Sequence, residues 1–135
     1  MSHAKLLALD VGERRIGVAA ADTATKIAYP VVTVPVDGQE VDVLRQLIAE
    51  QVASLLVVGY PRNQSGEPTA QTAAVEAFVA RLAPLGVEIV YQDESLTSVM
   101  AEQYLASQKK SYNREDIDAH AASIILTDYL ETHFA

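Results

Sequence analysis

The sequence predicts an α/β domain on a mixed five-stranded sheet: a three-strand antiparallel meander, then two parallel strands, with helices on both faces. Three observations predict it. Two apolar runs, residues 5–11 and 15–21, are separated by only three residues, which fits nothing but an antiparallel hairpin. Beyond residue 40 the pattern changes to helix–strand alternation, which calls for crossovers and parallel pairing. The first run is apolar on both faces, as a strand at the centre of a sheet must be. A chain of 135 residues suffices for one domain with a real core and is too short for two ordinary ones, so residues 1–135 are expected to form a single domain.

The elements follow in order. Residues 5–11 are the first strand, VGERR is the turn, and residues 15–21 are the second strand. YPVVTVPV is the third, and Pro30 and Pro35 confine it to an edge or a short stretch because proline cannot donate to a ladder. EVDVLRQLIAEQ carries apolar residues at a helical period, and SLLVVGY is a short buried strand. PRNQSGEP is a loop, residues 69–83 are a helix opened by Pro68 and closed near PLG, and VEIVYQ is the fifth strand. DESLTS turns into a helix near 97–107, SQKKSYNRE is a polar, basic loop, and residues 114–132 are the last helix. The first strand pairs antiparallel with the second and parallel with the fourth.

Composition narrows the chemistry. Ten basic residues against eighteen acidic ones give a net charge of −8, so the bulk surface repels polyanions and any anion site must be local. There are no cysteines, which excludes disulfides, thiol nucleophiles and thiolate metal sites. The three histidines are too scattered for a histidine-rich zinc site. No apolar run is long enough to span a bilayer and MSHAKLLALD has no signal-peptide character, so the expected location is cytoplasmic.

In sheets of this kind ligands gather beyond the carboxyl ends of the parallel strands. Asp10 ends the first strand, GYPRN follows the fourth, and Asp93 and Glu94 follow the fifth. Asp118 stands in the first turns of the last helix. Strands one and five, with strand four between them, lie about 10 Å apart, so side chains from each can just meet around a shared ion. Clustered carboxylates repel unless cations neutralise them, and with no cysteine or clustered histidine the fitting ions are Mg²⁺ or Mn²⁺. Two such ions clamp the attacking and leaving oxygens of a phosphodiester displacement. The hairpin returns Arg14 or Arg15 over the same edge, and Gly12 closes the turn.

Each element also has a plain structural account. Asp10-Val-Gly is common turn chemistry, and Asp93-Glu94-Ser95 suits a helix N-terminus with Ser95 as cap. Asn113 suits a cap of the last helix, with Asp116 at the box position, and His120 suits packing rather than ligation. Glu13 and Asp22 are ordinary turn and surface acids. The functional case is conjunction: the favoured acids all fall at one sheet edge.

With those residues placed, the chain resembles the YqgF family, also called RuvX, of the ribonuclease H-like superfamily. The likeness runs nearly end to end. It comprises Asp10, Gly12 and RIGVA at 15–19; Gly59, Pro61 and Asn63, with Gly66 beyond; Asp93, Glu94, Leu96 and Thr97; and Asp118, Ala121 and Ala122 before IILTDYL. The resemblance implies a ribonuclease H-like fold and a metal-dependent nuclease with three acidic ligands, carried here onto Asp10, Glu94 and Asp118. It implies 5′-end maturation of pre-16S ribosomal RNA, or the Holliday junction resolution proposed earlier for the family. Ser95 stands where the family usually has arginine and Ser98 where it has threonine; the first change removes a charge-assisted contact.

On this reading Arg14, Arg15 and Asn63 position phosphate, and Lys109, Lys110 and Arg114 form a basic flap at the mouth. Gly12 and Gly59 serve the backbone turns. Tyr112 in the flap offers a ring for an unpaired base. The partner is nucleic acid, pre-16S RNA or branched DNA, and a homodimer is expected if the substrate is a two-fold junction. Asp-x-Gly in a hairpin is also the phosphate element of actin-like ATPases, which makes an ATPase fragment an alternative; a non-catalytic nucleic-acid scaffold is a third.

Overall fold

Strand β1, Lys5–Val11, is the axis of the sheet. In the computed structural model, which describes residues 4–61, 67, 69–93 and 114–134 (side chains from 116 onward in the last segment), it has a strand on either side. Strand β2, Arg15–Asp22, pairs with it antiparallel from Lys5↔Asp22 to Val11↔Ile16. Strand β4, Ala53–Tyr60, pairs with it in parallel on the other side, with Ala8 beside Val57. The order is β3-β2-β1-β4-β5, with β3 at Ala28–Pro35 and β5 at Glu88–Asp93 on the two edges. Both prolines of β3 thus sit on an edge strand, and the β2–β3 register shifts between Val18 and Ala19, at the level of Pro30.

Three α-helices cover the sheet among the described residues: α1 at Glu40–Gln51, α2 at Ala70–Leu82 and α3 at Arg114–His133. The alternation of a strand divides β1 between two cores. Leu7, Leu9 and Val11 pack with Ile16 and Val18, with Leu44 of α1, and with Val75, Phe78 and Leu82 of α2. Leu6 and Ala8 pack on the opposite face with Ala19, Ala21 and Val57 and with Ala122, Ile125 and Leu126 of α3. A strand buried on both faces has to be apolar along its middle, which is why its charges, Lys5 and Asp10, come only near its two ends.

Side-chain size sets how near α3 lies. On its face β2 presents Ala21, Ala19 and then Gly17. A Cβ built on Gly17 would stand 1.9 Å from the carbonyl oxygen of Asp118. The first turns of α3 therefore rest on the strand backbone itself. Helix α2 is fixed at its start by Thr69, which caps it reciprocally with Thr72, and the buried Thr72 hydroxyl donates to the Pro61 carbonyl just beyond β4. A 3₁₀ turn at Ala83–Leu85 ends on Gly86, whose φ of 74° suits glycine.

Glu40, the first residue of α1, is a carboxylate only 2% exposed. Its Oε1 accepts the Gly38 N–H at 2.7 Å and the Asp37 N–H at 3.1 Å, and its Oε2 meets Nη2 of Arg81 at 3.0 Å. Backbone donors, its own N–H first, hold its pKa below the ordinary carboxylate value against the opposing effect of burial; the Gly38 N–H and Arg81 add to the lowering.

Two outcomes follow from this packing. Gly17→Ala forces α3 off the sheet and costs about 1–3 kcal/mol or more, read as a lower urea midpoint; an unchanged midpoint would show that the helix does not rest on Gly17. The stability that Glu40 supplies is present above its unfolded pKa and is lost as pH falls through its lowered folded pKa. Glu40→Gln is expected to cost about 1–3 kcal/mol at pH 7 and to flatten the decline in stability on acidification below pH 4.5, where the native chain loses the contribution; parallel acid-limb curves would refute this.

Candidate active site

Asp10 is the penultimate residue of β1 and shares its face with Leu6 and Ala8, the face that α3 covers. Its cross-strand partner is Gly17. Antiparallel partners have Cα atoms about 4.5–5.5 Å apart, and the Asp118 carbonyl lies against Gly17, so the Asp10 backbone and that carbonyl are within about 9 Å. Two carboxylate residues from opposite ends of the chain are thus neighbours on one face of the sheet.

The Asp118 carboxylate is already engaged. Its Oδ2 accepts a 2.7 Å bond from Nε of Arg15, with the two side chains 24% and 30% exposed. Arg15 lies on the same face of β2 as Gly17, two residues away, so its side chain reaches the helix turn that Gly17 admits. The hairpin turn holds Arg15 in place: the Gly12 N–H donates to the Arg15 carbonyl at 2.9 Å. A Cβ on Gly12 would stand 2.8 Å from that oxygen, which makes glycine the fitting residue there. Arg14 is exposed at the tip, anchored by its carbonyl, which accepts the Val36 N–H at 2.9 Å.

The other expected residues divide. Gly59 lies within β4 rather than in the turn after it, buried and paired with Gln92. Asp93 is the last residue of β5 and sits level with Tyr60. It has the parity of Ile89 and Tyr91, so it belongs to the α2 face, opposite the face of Asp10. Asp116 is exposed on α3. His120 is partly buried, and burial lowers its pKa. Asn63, Glu94, Lys109 and Lys110, with Pro68, Ser95, Tyr112, Asn113 and the helix expected near 97–107, lie outside the described residues, as does the side chain of Arg114.

Among the described residues no three acidic or histidine side chains gather as a metal site. Asp10 and Asp118 are two of the three expected ligands. As hard oxygen donors they fit Mg²⁺ or Mn²⁺ and suit softer metals poorly. A cation that took Asp118 would share it with Arg15. Sequence reasoning missed that pairing and missed the role of Gly17. A signal for the second was present, because a glycine inside a strand often marks close approach of another backbone.

Comparison with known proteins adds independent observations. A family model described as RuvX, Holliday junction resolvase, matches residues 4–132. A relative from Chloroflexus aggregans is 44% identical over 136 residues, spanning 97% of this chain and 96% of its own length. One from Synechocystis is 40% identical over 130 residues, spanning 93% and 86%. Both are named provisionally as pre-16S rRNA nucleases. Among solved structures, Thermus thermophilus RuvC in complex with a Holliday junction aligns with a TM-score of 0.56, 14% identity and 98% of both chains. At that identity the likeness concerns the fold alone, which is α/β and ribonuclease H-like.

The Arg15–Asp118 contact has a direct measure. A double-mutant cycle of Arg15→Ala and Asp118→Ala is expected to give a coupling of about 1 kcal/mol in urea unfolding, as suits a partly buried charge-assisted bond. A coupling indistinguishable from zero would mean that the pair does not hold in solution.

Proposed function

This chain belongs to the RuvX family, and from that premise we propose that it is a metal-dependent nuclease that hydrolyses phosphodiester bonds in the 5′-end processing of pre-16S ribosomal RNA. The reading is supported most by one observation: Asp10 and Asp118 approach each other across Gly17 at the carboxyl edge of the sheet. The names of the relatives favour ribosomal RNA as the substrate. The family description and the likeness to RuvC keep Holliday junction resolution as the second reading, which requires a two-fold homodimer with two active sites. The family match and the names of the relatives favour a nuclease over an actin-like ATPase. The proposed setting is the cytoplasm, with residues 1–135 acting as one domain; among the described residues no helix is long and apolar enough to cross a membrane.

Asp10, Glu94 and Asp118 would hold two Mg²⁺ or Mn²⁺ ions. Bound there, the ions supply positive charge to the attacking and leaving oxygens and lower the pKa of the attacking water. The chain's own contribution is positional. Asp10 is held by a strand paired on both sides. Asp118 is held by a helix seated on Gly17 and oriented by Arg15. Arg15 spends its Nε on Asp118, and its remaining N–H groups are donors for a phosphate oxygen. Arg14 adds a second cation at the hairpin tip, and Asn63, Lys109, Lys110 and Arg114 are the proposed further contacts to the substrate backbone. No serine, cysteine or threonine nucleophile is required.

The test sets pre-16S RNA beside a synthetic four-way junction, with Mg²⁺ or Mn²⁺ and with a chelator. Asp10→Asn is expected to lower the cleavage rate about 100-fold or more, a loss of roughly 3 kcal/mol of transition-state stabilisation, and the chelator to abolish cleavage. Full activity in Asp10→Asn, or in the chelator, refutes the mechanism. Preference for the junction over the RNA selects the second reading.

A further inference from the structure

Arginine converges in a cleft on the described surface of this acidic protein. The cleft measures about 710 Å³ and runs between the β1–β2 turn and α2, with Asp118 among its lining residues. Arg14, Arg15 and Arg81 line it, three of the chain's ten basic residues. Glu13 and Asp118 are the acids of the lining, and Asp118 is engaged by Arg15.

The arginines are prepared to different degrees. Arg81 gives one nitrogen to the buried Glu40, which loop N–H groups lock in place, and its guanidinium carbon lies 5.4 Å from the centre of the Phe78 ring. Its side chain is still 51% exposed. It is therefore a pre-oriented cation with donors to spare. Among the described residues no carboxylate pairs with Arg14. The floor is apolar, with Val11, Ile16 and Val75, and the α2 wall carries Ala70, Ala74 and Ala77 on one side of the helix, beside Gln71 and Phe78.

Oriented guanidiniums above an apolar floor match a nucleotide unit: phosphate on the cations, ribose or base on the floor. The volume falls within the range of about 300–1,000 Å³ usual for ligand sites of that size and is far too small for a duplex. We propose that this cleft seats a single-stranded segment of the nucleic-acid substrate flanking the cleaved bond, with a phosphate between Arg14 and Arg81. The strand would enter past Arg15 and Asp118, where the cleft meets the candidate active site. The inference rests on the nuclease reading and extends it to the path of the substrate.

Residue 74 tests the cleft without touching any bond in the fold, since its side chain is exposed and Glu and Lys are good helix formers. Binding of a labelled single-stranded RNA to the full chain is followed by anisotropy, with Ca²⁺ replacing Mg²⁺. Ala74→Glu is expected to weaken binding about 10-fold and Ala74→Lys to tighten it, while Ala73→Glu, on the same helix outside the cleft, changes it less than about 2-fold. Arg14→Ala is expected to reduce the slope of log affinity on log salt by about 1. Equal binding by both Ala74 variants, or saturable binding of free adenosine monophosphate with no binding of the strand, overturns the inference. Cleavage assayed in parallel separates the two proposals. Native cleavage with no response at residue 74 refutes the cleft alone; charge-dependent binding with no cleavage under any metal refutes the nuclease reading alone.

Discussion

The contact between the Gly17 backbone and the Asp118 peptide is the constraint on which the rest of this structure depends. It places helix α3 on the sheet with no side chain between them, at the level of Asp10. Beneath the helix, β2 offers Ala21, Ala19 and Gly17, while α3 offers Ala122, Ile125 and Leu126, so bulk on the helix meets small residues on the strand. Close packing of this kind leaves little slack, because interiors fill space as densely as organic crystals. The helix register is thereby fixed, and with it the position of Asp118 relative to Asp10. Arg15 then settles the direction in which the Asp118 carboxylate points.

The two ion pairs at the site edge differ in kind. Glu40 is almost wholly buried and satisfied by backbone donors, so it acts as a fixed anchor with Arg81 as its outward arm. Asp118 and Arg15 are each about a quarter exposed, so their attraction is moderated by solvent and either can be drawn toward a new partner. A chain with a net charge of −8 has to manage its cations if it is to attract a polyanion anywhere. These pairs keep two arginines oriented along one cleft of an otherwise acidic chain.

Much of the architecture was legible beforehand. The apolar run at 5–11 marked β1 with the bounds the structure has, and the helical period of EVDVLRQLIAEQ matched α1 residue for residue. The two-sided apolarity of β1 put it between β2 and β4, because only a central strand must exclude charge from both faces. The edge position of β3 was legible in Pro30 and Pro35. Asp10 stood out because a carboxylate ends a run that tolerates no other.

Local pattern sufficed for those features because backbone hydrogen bonding and burial repeat with short, fixed periods along the chain. Which groups meet across long separations was a matter for tertiary packing. Arg15 finds Asp118 across 103 residues of sequence, and nothing in either neighbourhood names the other. Asp93 lies at the end of its strand much as Asp10 does, yet the β4–β5 register turns it to the opposite face. Gly59 falls both in the SLLVVGY strand and in a turn motif, and the ladder with β5 decides for the strand. Composition and periodicity fix what each face is made of; only the folded chain, through register and the space a missing side chain leaves, settles what stands against it.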